Sequence, residues 1–369
     1  MSDRPAQMKD FLARSGWGEA VVTPLPGDAS TRRYARLRDG ERKAMLMDQP
    51  QGAETPTAPP GATAAQRRAL GYNAVARLAG ADVGRFAEVA RHLKARMLSA
   101  PDIYAADPAQ GFLVLEDLGD GLFADVLADG GEEATLYRNA VEVLARLHGE
   151  PAPEAMGDKP LFAYDDVALL AEIDLLTEWY LPYALGRAAT ADKIAEHRAL
   201  WQAALAGIAA GPRAFVHRDY HAQNLLWLPG RDGAQRTGLI DFQDAVAGSR
   251  AYDLVSLLED ARRDVDPGVA KLALRHYLNA MKAQGTPVDE AAFAAEMATM
   301  AAQRNAKIVG IFARLFRRDG KPRYLALLPR VWGHLTGDLA HPSLAPLKAW
   351  YDRTIPQDTR FAATKEDTA

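Results

Sequence analysis

At 369 residues the chain is longer than one ordinary compact domain and fits two lobes that each bury a core. Hydrophobic residues at 48% and charged residues at 25% give the balance of a globular protein, and a net charge of −4 supplies no basic field for nucleic acid or anionic lipid. There is no cysteine, which excludes disulfides, thiolate nucleophiles and cysteine-ligated zinc and suits a reducing compartment.

Residues 1–10 are polar and lack the apolar core of a signal peptide. No stretch approaches the roughly 20 apolar residues of a membrane span, so the expected location is the cytoplasm. Residues 26–31 form a small-residue turn, and 33–37 and 42–48 read as strands joined by Asp39-Gly40. A loop rich in Pro, Gly and Thr over 49–64 leads to helices over 65–80 and 83–98, then to a buried strand over 111–118. From there the pattern is helical. Apolar residues at 136, 140, 143, 144 and 147 predict a helix over 132–148, and Leu169, Leu170, Ile173, Leu176 and Trp179 predict another over 166–179. Further helices fit 192–209, 253–262, 267–283, 289–316 and 321–335. The expected fold class is α+β, with a strand-rich lobe over 1–118, a larger helical lobe over 119–356 and a polar tail over 357–369.

One strand-rich island interrupts the helical half. Residues 214–216 form a short strand ending at His217-Arg218-Asp219, and 225–228 and 237–240 are strands flanking the Pro229-to-Gly233 turn. Pairing Leu228 with Thr237 in an antiparallel hairpin sets Asn224 opposite Asp241, with Asp219 on the loop leading to the same end. Two carboxylates and an amide oxygen then converge. Phosphoryl transfer needs such a group: Mg²⁺ takes one or two oxygen ligands from the protein, and a further carboxylate accepts the proton of the attacking hydroxyl. Asp219 is the expected base, and Asn224 and Asp241 are the expected metal ligands.

The spelling agrees. Residues 217–224 read HRDYHAQN, matching the kinase catalytic-loop pattern H-R-D-x-x-x-x-N, and Asp241-Phe242 matches the start of D-F-G with Gln243 in place of glycine. Either aspartate alone reads as a turn or cap residue; the two motifs in order, across a strand-turn-strand, carry the inference. His217 and His221 have the spacing of zinc ligands but lie on a loop without an H-E-x-x-H glutamate. Gly119-x-Gly121-x-x-Ala124 spells part of a dinucleotide fingerprint without the βαβ unit that would give it meaning.

With these motifs the chain resembles the aminoglycoside-phosphotransferase family, small-molecule kinases with a protein-kinase-like bilobal fold. The segments that carry the resemblance are residues 144–148 (LARLH), 217–224, Ile240-Asp241-Phe242 and Tyr252-Asp253-Leu254. It implies that Asp253, together with His217, supports the catalytic loop. It also makes the run ending at Glu116-Asp117-Leu118 an interlobe hinge for adenine, and ATP and Mg²⁺ the cofactors. Two departures stand out. The strand over 42–48 carries no lysine at its end, and the phosphate-covering loop lacks G-x-G-x-x-G. Ser30 and Thr31 hydroxyls and the Arg33 charge are the candidate phosphate contacts, with an exposed strand arginine the equal alternative for Arg33.

A narrower resemblance rests on GDASTRRY (27–34), Met47-Asp48-x-Pro50, Glu178-Trp179-Tyr180, DFQDA (241–245) and the 303–308 and 311–314 runs. These segments are similar to the anomeric N-acetylmuramate/N-acetylglucosamine kinases, which share the missing lysine and phosphorylate the C1 hydroxyl in peptidoglycan recycling. It implies an amino-sugar substrate, with Glu178 and Trp179 on the sugar and Arg304 on a lactyl carboxylate. Trp179 as an apolar-stripe residue and Arg304 as a helix salt bridge remain open. So do an aminoglycoside or other amino-alcohol acceptor, and a non-catalytic ATP-binding module. The expected partners are the sugar and ATP, with no nucleic acid or membrane, and the expected state is a monomer.

Overall fold

In the computed structural model residues 3–26, 31–50, 57–59, 61–76, 82–209 and 211–360 are described. Period-two alternation builds the first lobe. Strands β1 (Val21–Pro24), β2 (Arg33–Asp39), β3 (Arg42–Asp48), β4 (Ile103–Asp107) and β5 (Phe112–Leu115) make one antiparallel sheet in the order β1-β2-β3-β5-β4. Leu37, Ala44, Leu46, Phe112 and Val114 pack on one face with Phe11, Leu12 and Trp17. Met47, Leu113 and Leu115, on the alternate positions, join the main core with the helix Val83–Ala95.

The N-terminal helix Arg4–Arg14, capped by Asp3, was not legible because its polar residues outnumber Phe11 and Leu12. Arg4 ties it to Asp48 at the end of β3 and stacks on Phe112, 3.7 Å from the ring centroid. Within the helix expected over 65–80 the described residues form two short ones, Ala64–Ala69 and Gly71–Ala76, and 77–80 lie outside the described residues.

After β5 the chain is helical apart from short hairpins. Glu133–His148 packs along Pro267–Ala283, and every residue of its expected apolar stripe is buried. The long helix Glu290–Asp319 runs through the lobe, touching Ala251–Leu258, Asp166–Leu175 and Leu328–Asp338. Where one helix is expected over 166–179, the structure has Asp166–Leu175 continued by a π-helical turn, Leu176–Tyr180. Gly310 lies against this junction, and a Cβ there would sit 2.5 Å from the Leu175 carbonyl carbon. Within the tail expected over 357–369, Gln357–Arg360 is helical and Arg360 is buried with its guanidinium on the Ile355 carbonyl and Asp352, and 361–369 lie outside the described residues. Among the described residues no helix is long and apolar enough to cross a membrane. The architecture is α+β, a small sheet lobe followed by a larger helical one.

Candidate active site

The catalytic island is built on two short antiparallel pairs. Ala214–Val216 pairs with Val246–Gly248, and Leu225–Trp227 pairs with Thr237–Leu239. The second register is one residue from the expected one. Thr237 faces Trp227 and Leu239 faces Leu225, so Asn224 lies opposite Ile240, whose N–H donates to the Asn224 carbonyl at 3.2 Å. The turn is longer than supposed: Leu228 N–H closes on the Arg236 carbonyl around a 3₁₀ turn at Gly233–Arg236. Asp241 is displaced past the strand end and takes φ = +60°, a left-handed conformation that aspartate tolerates better than most residues.

Asp219, Asn224 and Asp241 nevertheless line one cleft of about 770 Å³ between the sheet lobe and the helical lobe. The Asn224 amide nitrogen donates to the Asp219 carbonyl at 2.9 Å, which commits the NH₂ end and presents the amide oxygen as the remaining acceptor. Asp241 Oδ1 accepts from Gln243 Nε2 at 3.0 Å and from Arg32 Nη1 at 2.9 Å. One carboxylate and one amide oxygen form a hard-oxygen donor set of the kind Mg²⁺ uses alongside phosphate oxygens and water, so the residues present fit that ion.

The catalytic loop is held from beneath. Asp253, fully buried, accepts the N–H of His217 at 2.6 Å and of Arg218 at 2.9 Å. Burial raises its carboxyl to about 7 against the pull of those two N–H groups. The His217 ring is buried against Tyr220 and Phe242, and burial lowers its pKa. Arg218 sits at φ = +76°, which lets its N–H serve Asp253 while its guanidinium reaches Glu172 at 2.7 Å. Left-handed non-glycine residues at both motif aspartates' loops are strain of the kind that gathers at functional sites.

Glu172 is a hub that the sequence reading missed. Fully buried, it accepts from Arg218, Tyr164 and Gln303 and pairs with Lys307 at 2.9 Å. Burial pushes its carboxyl up, but Lys307 and Arg218 outweigh that and hold it below its ordinary value. Arg218 and Lys307 both line the cleft. A second missed residue is Arg85, buried at the start of the 83–95 helix, which donates to the carbonyls of Gln243 (2.9 Å), Ala245 (2.9 Å) and Pro160 (2.7 Å). With Phe86 against Phe242, ring centroids 4.6 Å apart, it fastens the segment that follows Asp241.

At the sheet end, Glu116 and Leu118 line the cleft. Arg36 on β2 joins the sheet to it through Asp117 (2.8 Å) and Asp120 (2.6 Å). Met45, Pro101, Leu115, Leu226 and Ile240 give this end an apolar lining. Gly121, one of the fingerprint-like glycines, is a packing position: a Cβ would lie 2.8 Å from the Trp227 carbonyl oxygen.

Several expected contacts need correction. Arg33 is exposed and faces away from the cleft, because β2 alternation turns Tyr34 and Arg36 inward, and Arg32 lines the cleft with them. Thr31 accepts from Gln49 Nε2 at 3.0 Å and does not line the cleft; Ser30 lies outside the described residues. Glu178 is exposed and Trp179 packs on the core, so neither lines the cleft. Arg304 is buried away from the cleft, donating to the Glu259 carbonyl at 3.2 Å, because its helix turns Gln303 and Lys307 toward Glu172 instead.

The profile of the phosphotransferase enzyme family (APH) matches residues 21–291. The chain belongs to this family. This phosphotransferase is 46% identical over 363 residues to the N-acetylmuramate/N-acetylglucosamine kinase of Caulobacter vibrioides, covering 97% of this chain and 99% of that protein. It is 32% identical over 346 residues to the enzyme of the same name from Pseudomonas aeruginosa, covering 92% and 91%. Its fold is shared with a microcompartment-associated aminopropanol kinase, TM-score 0.60 at 14% identity over 92% of this chain and 98% of that one. It is also shared with a putative aminoglycoside phosphotransferase from Ralstonia eutropha, TM-score 0.58 at 12% identity over 95% and 98%. The phosphotransferase is thus a small-molecule kinase of kinase-like bilobal architecture.

Proposed function

We propose that the protein transfers the γ-phosphoryl group of ATP, with Mg²⁺, to the anomeric hydroxyl of N-acetylmuramate and N-acetylglucosamine. The observation that carries the transfer chemistry is that Asp219, Asn224 and Asp241 line the same cleft as the hinge residues Glu116 and Leu118. The adenine lies in the apolar end. The Glu116 N–H is committed to the Asp102 carbonyl at 2.8 Å, so adenine contacts fall to the Glu116 carbonyl and the Leu118 N–H.

Asn224 and Asp241 would hold Mg²⁺, which would supply neutralisation of the phosphate charge. Asp219 accepts the proton of the sugar hydroxyl as its oxygen bonds to the γ-phosphorus and the bond to the bridging ADP oxygen breaks. Asp253 positions Asp219 by fixing the main chain just before it.

The acceptor rests on the end-to-end likeness to the Caulobacter kinase and on charge. Between residues 244 and 324 the cleft is lined by Arg262, Lys307, Arg314, Arg318 and Lys321 against Asp244 and Asp319. A polycationic aminoglycoside is repelled by such a wall, whereas the lactyl carboxylate of N-acetylmuramate is attracted. Lys307, anchored on Glu172, is the cation we assign to that carboxylate.

Incubation with ATP, Mg²⁺ and either sugar or kanamycin, read by mass spectrometry, tests the acceptor. Phosphorylated sugar and unchanged kanamycin are expected; phosphorylation of kanamycin alone contradicts the reading. Lys307→Ala is expected to lower kcat/KM for N-acetylmuramate about tenfold more than for N-acetylglucosamine, the value of one charge-assisted contact.

A further inference from the structure

The cleft wall contributed by the sheet poses a question of charge. ATP carries about four negative charges that must lie between the apolar hinge end and the Asp219–Asn224–Asp241 end. β3 brings no cation to the cleft, because its one residue that lines it is Met45, a neutral side chain. The inward positions of β2 and the residue before it offer two cations, Arg36 and Arg32. Arg36 is committed near the hinge by Asp117 and Asp120 together.

Arg32 is placed differently. Its guanidinium crosses from the sheet lobe to Asp241 of the helical lobe, Nη1 to Oδ1 at 2.9 Å, and is nearly buried while the aspartate is 39% exposed. Tyr34, two residues along the same face, bonds the same guanidinium. The cation therefore stands beside a carboxylate that fits a metal ion, at the point where the triphosphate ends.

We propose that Arg32 is the phosphate-positioning residue of this kinase, a guanidinium whose pairing with Asp241 gives way to the ATP phosphates when Asp241 takes up its cation. The inference rests on the ATP-dependent reading above. A carboxylate that shares its charge with a divalent ion attracts a guanidinium less strongly. A polyphosphate with several charged oxygens is then the better acceptor for its forked donors. Gln243 Nε2, also on Oδ1, keeps Asp241 oriented after the exchange.

The test is nucleotide binding by isothermal calorimetry in Mg²⁺, with no acceptor present. Arg32→Ala is expected to weaken ATP binding about tenfold or more, the cost of a lost charged hydrogen bond, with adenosine affinity unchanged. Arg32→Lys, which keeps the charge, is expected to recover most of the ATP affinity. Unchanged ATP affinity in Arg32→Ala overturns the proposal, as does equal loss of ATP and adenosine, which marks a damaged fold. The larger ATP loss in Arg33→Ala would move the role to the neighbouring residue and overturn it too. Failure of the wild-type protein to bind ATP at all would overturn the ATP-dependent reading itself along with this proposal.

Discussion

Asp253 Oδ2 accepts the His217 N–H at 2.6 Å from the first turn of a helix buried beneath the catalytic loop. Its other oxygen takes the Arg218 N–H, so one side chain fixes two consecutive peptide groups directly before Asp219. Asp253→Ala leaves two buried donors without an acceptor, at a cost of about 2–4 kcal/mol. Urea denaturation is expected to register that loss, and kcat is expected to fall about tenfold or more as Asp219 loses its position. Adenosine affinity, set at the far end of the cleft, should stay within about twofold on this account. A normal kcat in Asp253→Ala would remove Asp253 from the positioning of Asp219.

Arg85 holds three carbonyls around the segment after Asp241. Arg85→Ala is expected to cost roughly 3 kcal/mol of stability by leaving buried carbonyls unpaired. The apparent Mg²⁺ requirement of turnover should rise as well, because Asp241 loses its backing. Titration of activity with Mg²⁺ checks this; an unchanged requirement would confine Arg85 to the fold.

Gly310, on the long 290–319 helix, lies against Leu175 at the end of its helix with no room for a Cβ. Alanine gains about 1 kcal/mol of helix propensity at an ordinary interior position. Here the clash with main-chain atoms of Leu175 is expected to reverse the sign, and Gly310→Ala should destabilise by about 1–3 kcal/mol in urea. A stabilised variant would contradict the packing described.

His197 is buried, and its Nε2 accepts the Trp201 indole N–H at 3.0 Å, so the ring is neutral in the fold. Burial lowers its pKa to about 3. The unfolded chain therefore binds a proton at this site below about pH 6.5 that the fold does not. Its contribution is fully present above that pH and is lost as pH falls toward 3. Urea stability measured at pH 6 and pH 5 should drop, and His197→Gln should shrink the drop by about 1 kcal/mol per pH unit. An identical slope in the variant would show that the ring is protonated in the fold.

The sequence exposed the chemistry more readily than the contacts. Strong periodicity made β2, β3 and the 133–148 helix readable, and the HRD and DF spellings led to Asp219, Asn224 and Asp241 in one cleft. Misses followed a common physical pattern, one of phase. Arg32 lines the cleft where Arg33 is expected, Lys307 lines it where Arg304 is expected, and Ile240 faces Asn224 where Asp241 is expected. Each is an error of one or three positions, enough to turn a side chain to another face of a strand or helix. The parity of Tyr34 and Arg36 and the i, i+4 spacing of Gln303 and Lys307 carried the needed signal. Glu178 and Trp179 are given to the sugar by resemblance alone, and Trp179 packs on the core as its place in the apolar stripe offers, although the π-helical turn at Leu176–Tyr180 is not announced by periodicity. Glu172 was unreadable as a hub because its charged partners, Arg218 and Lys307, come from two distant segments.

The central claim is that Asp219 activates the anomeric hydroxyl of an N-acetylated amino sugar for attack on ATP. The most direct measurement is ³¹P NMR of N-acetylmuramate incubated with ATP, Mg²⁺ and either the wild-type protein or Asp219→Asn. The account predicts a sugar 1-phosphate signal, coupled to the anomeric proton, from the wild type. It predicts loss of that signal in Asp219→Asn by about two orders of magnitude or more in rate, with ATP binding retained. Phosphate on another hydroxyl, or a near-normal rate from Asp219→Asn, would contradict it.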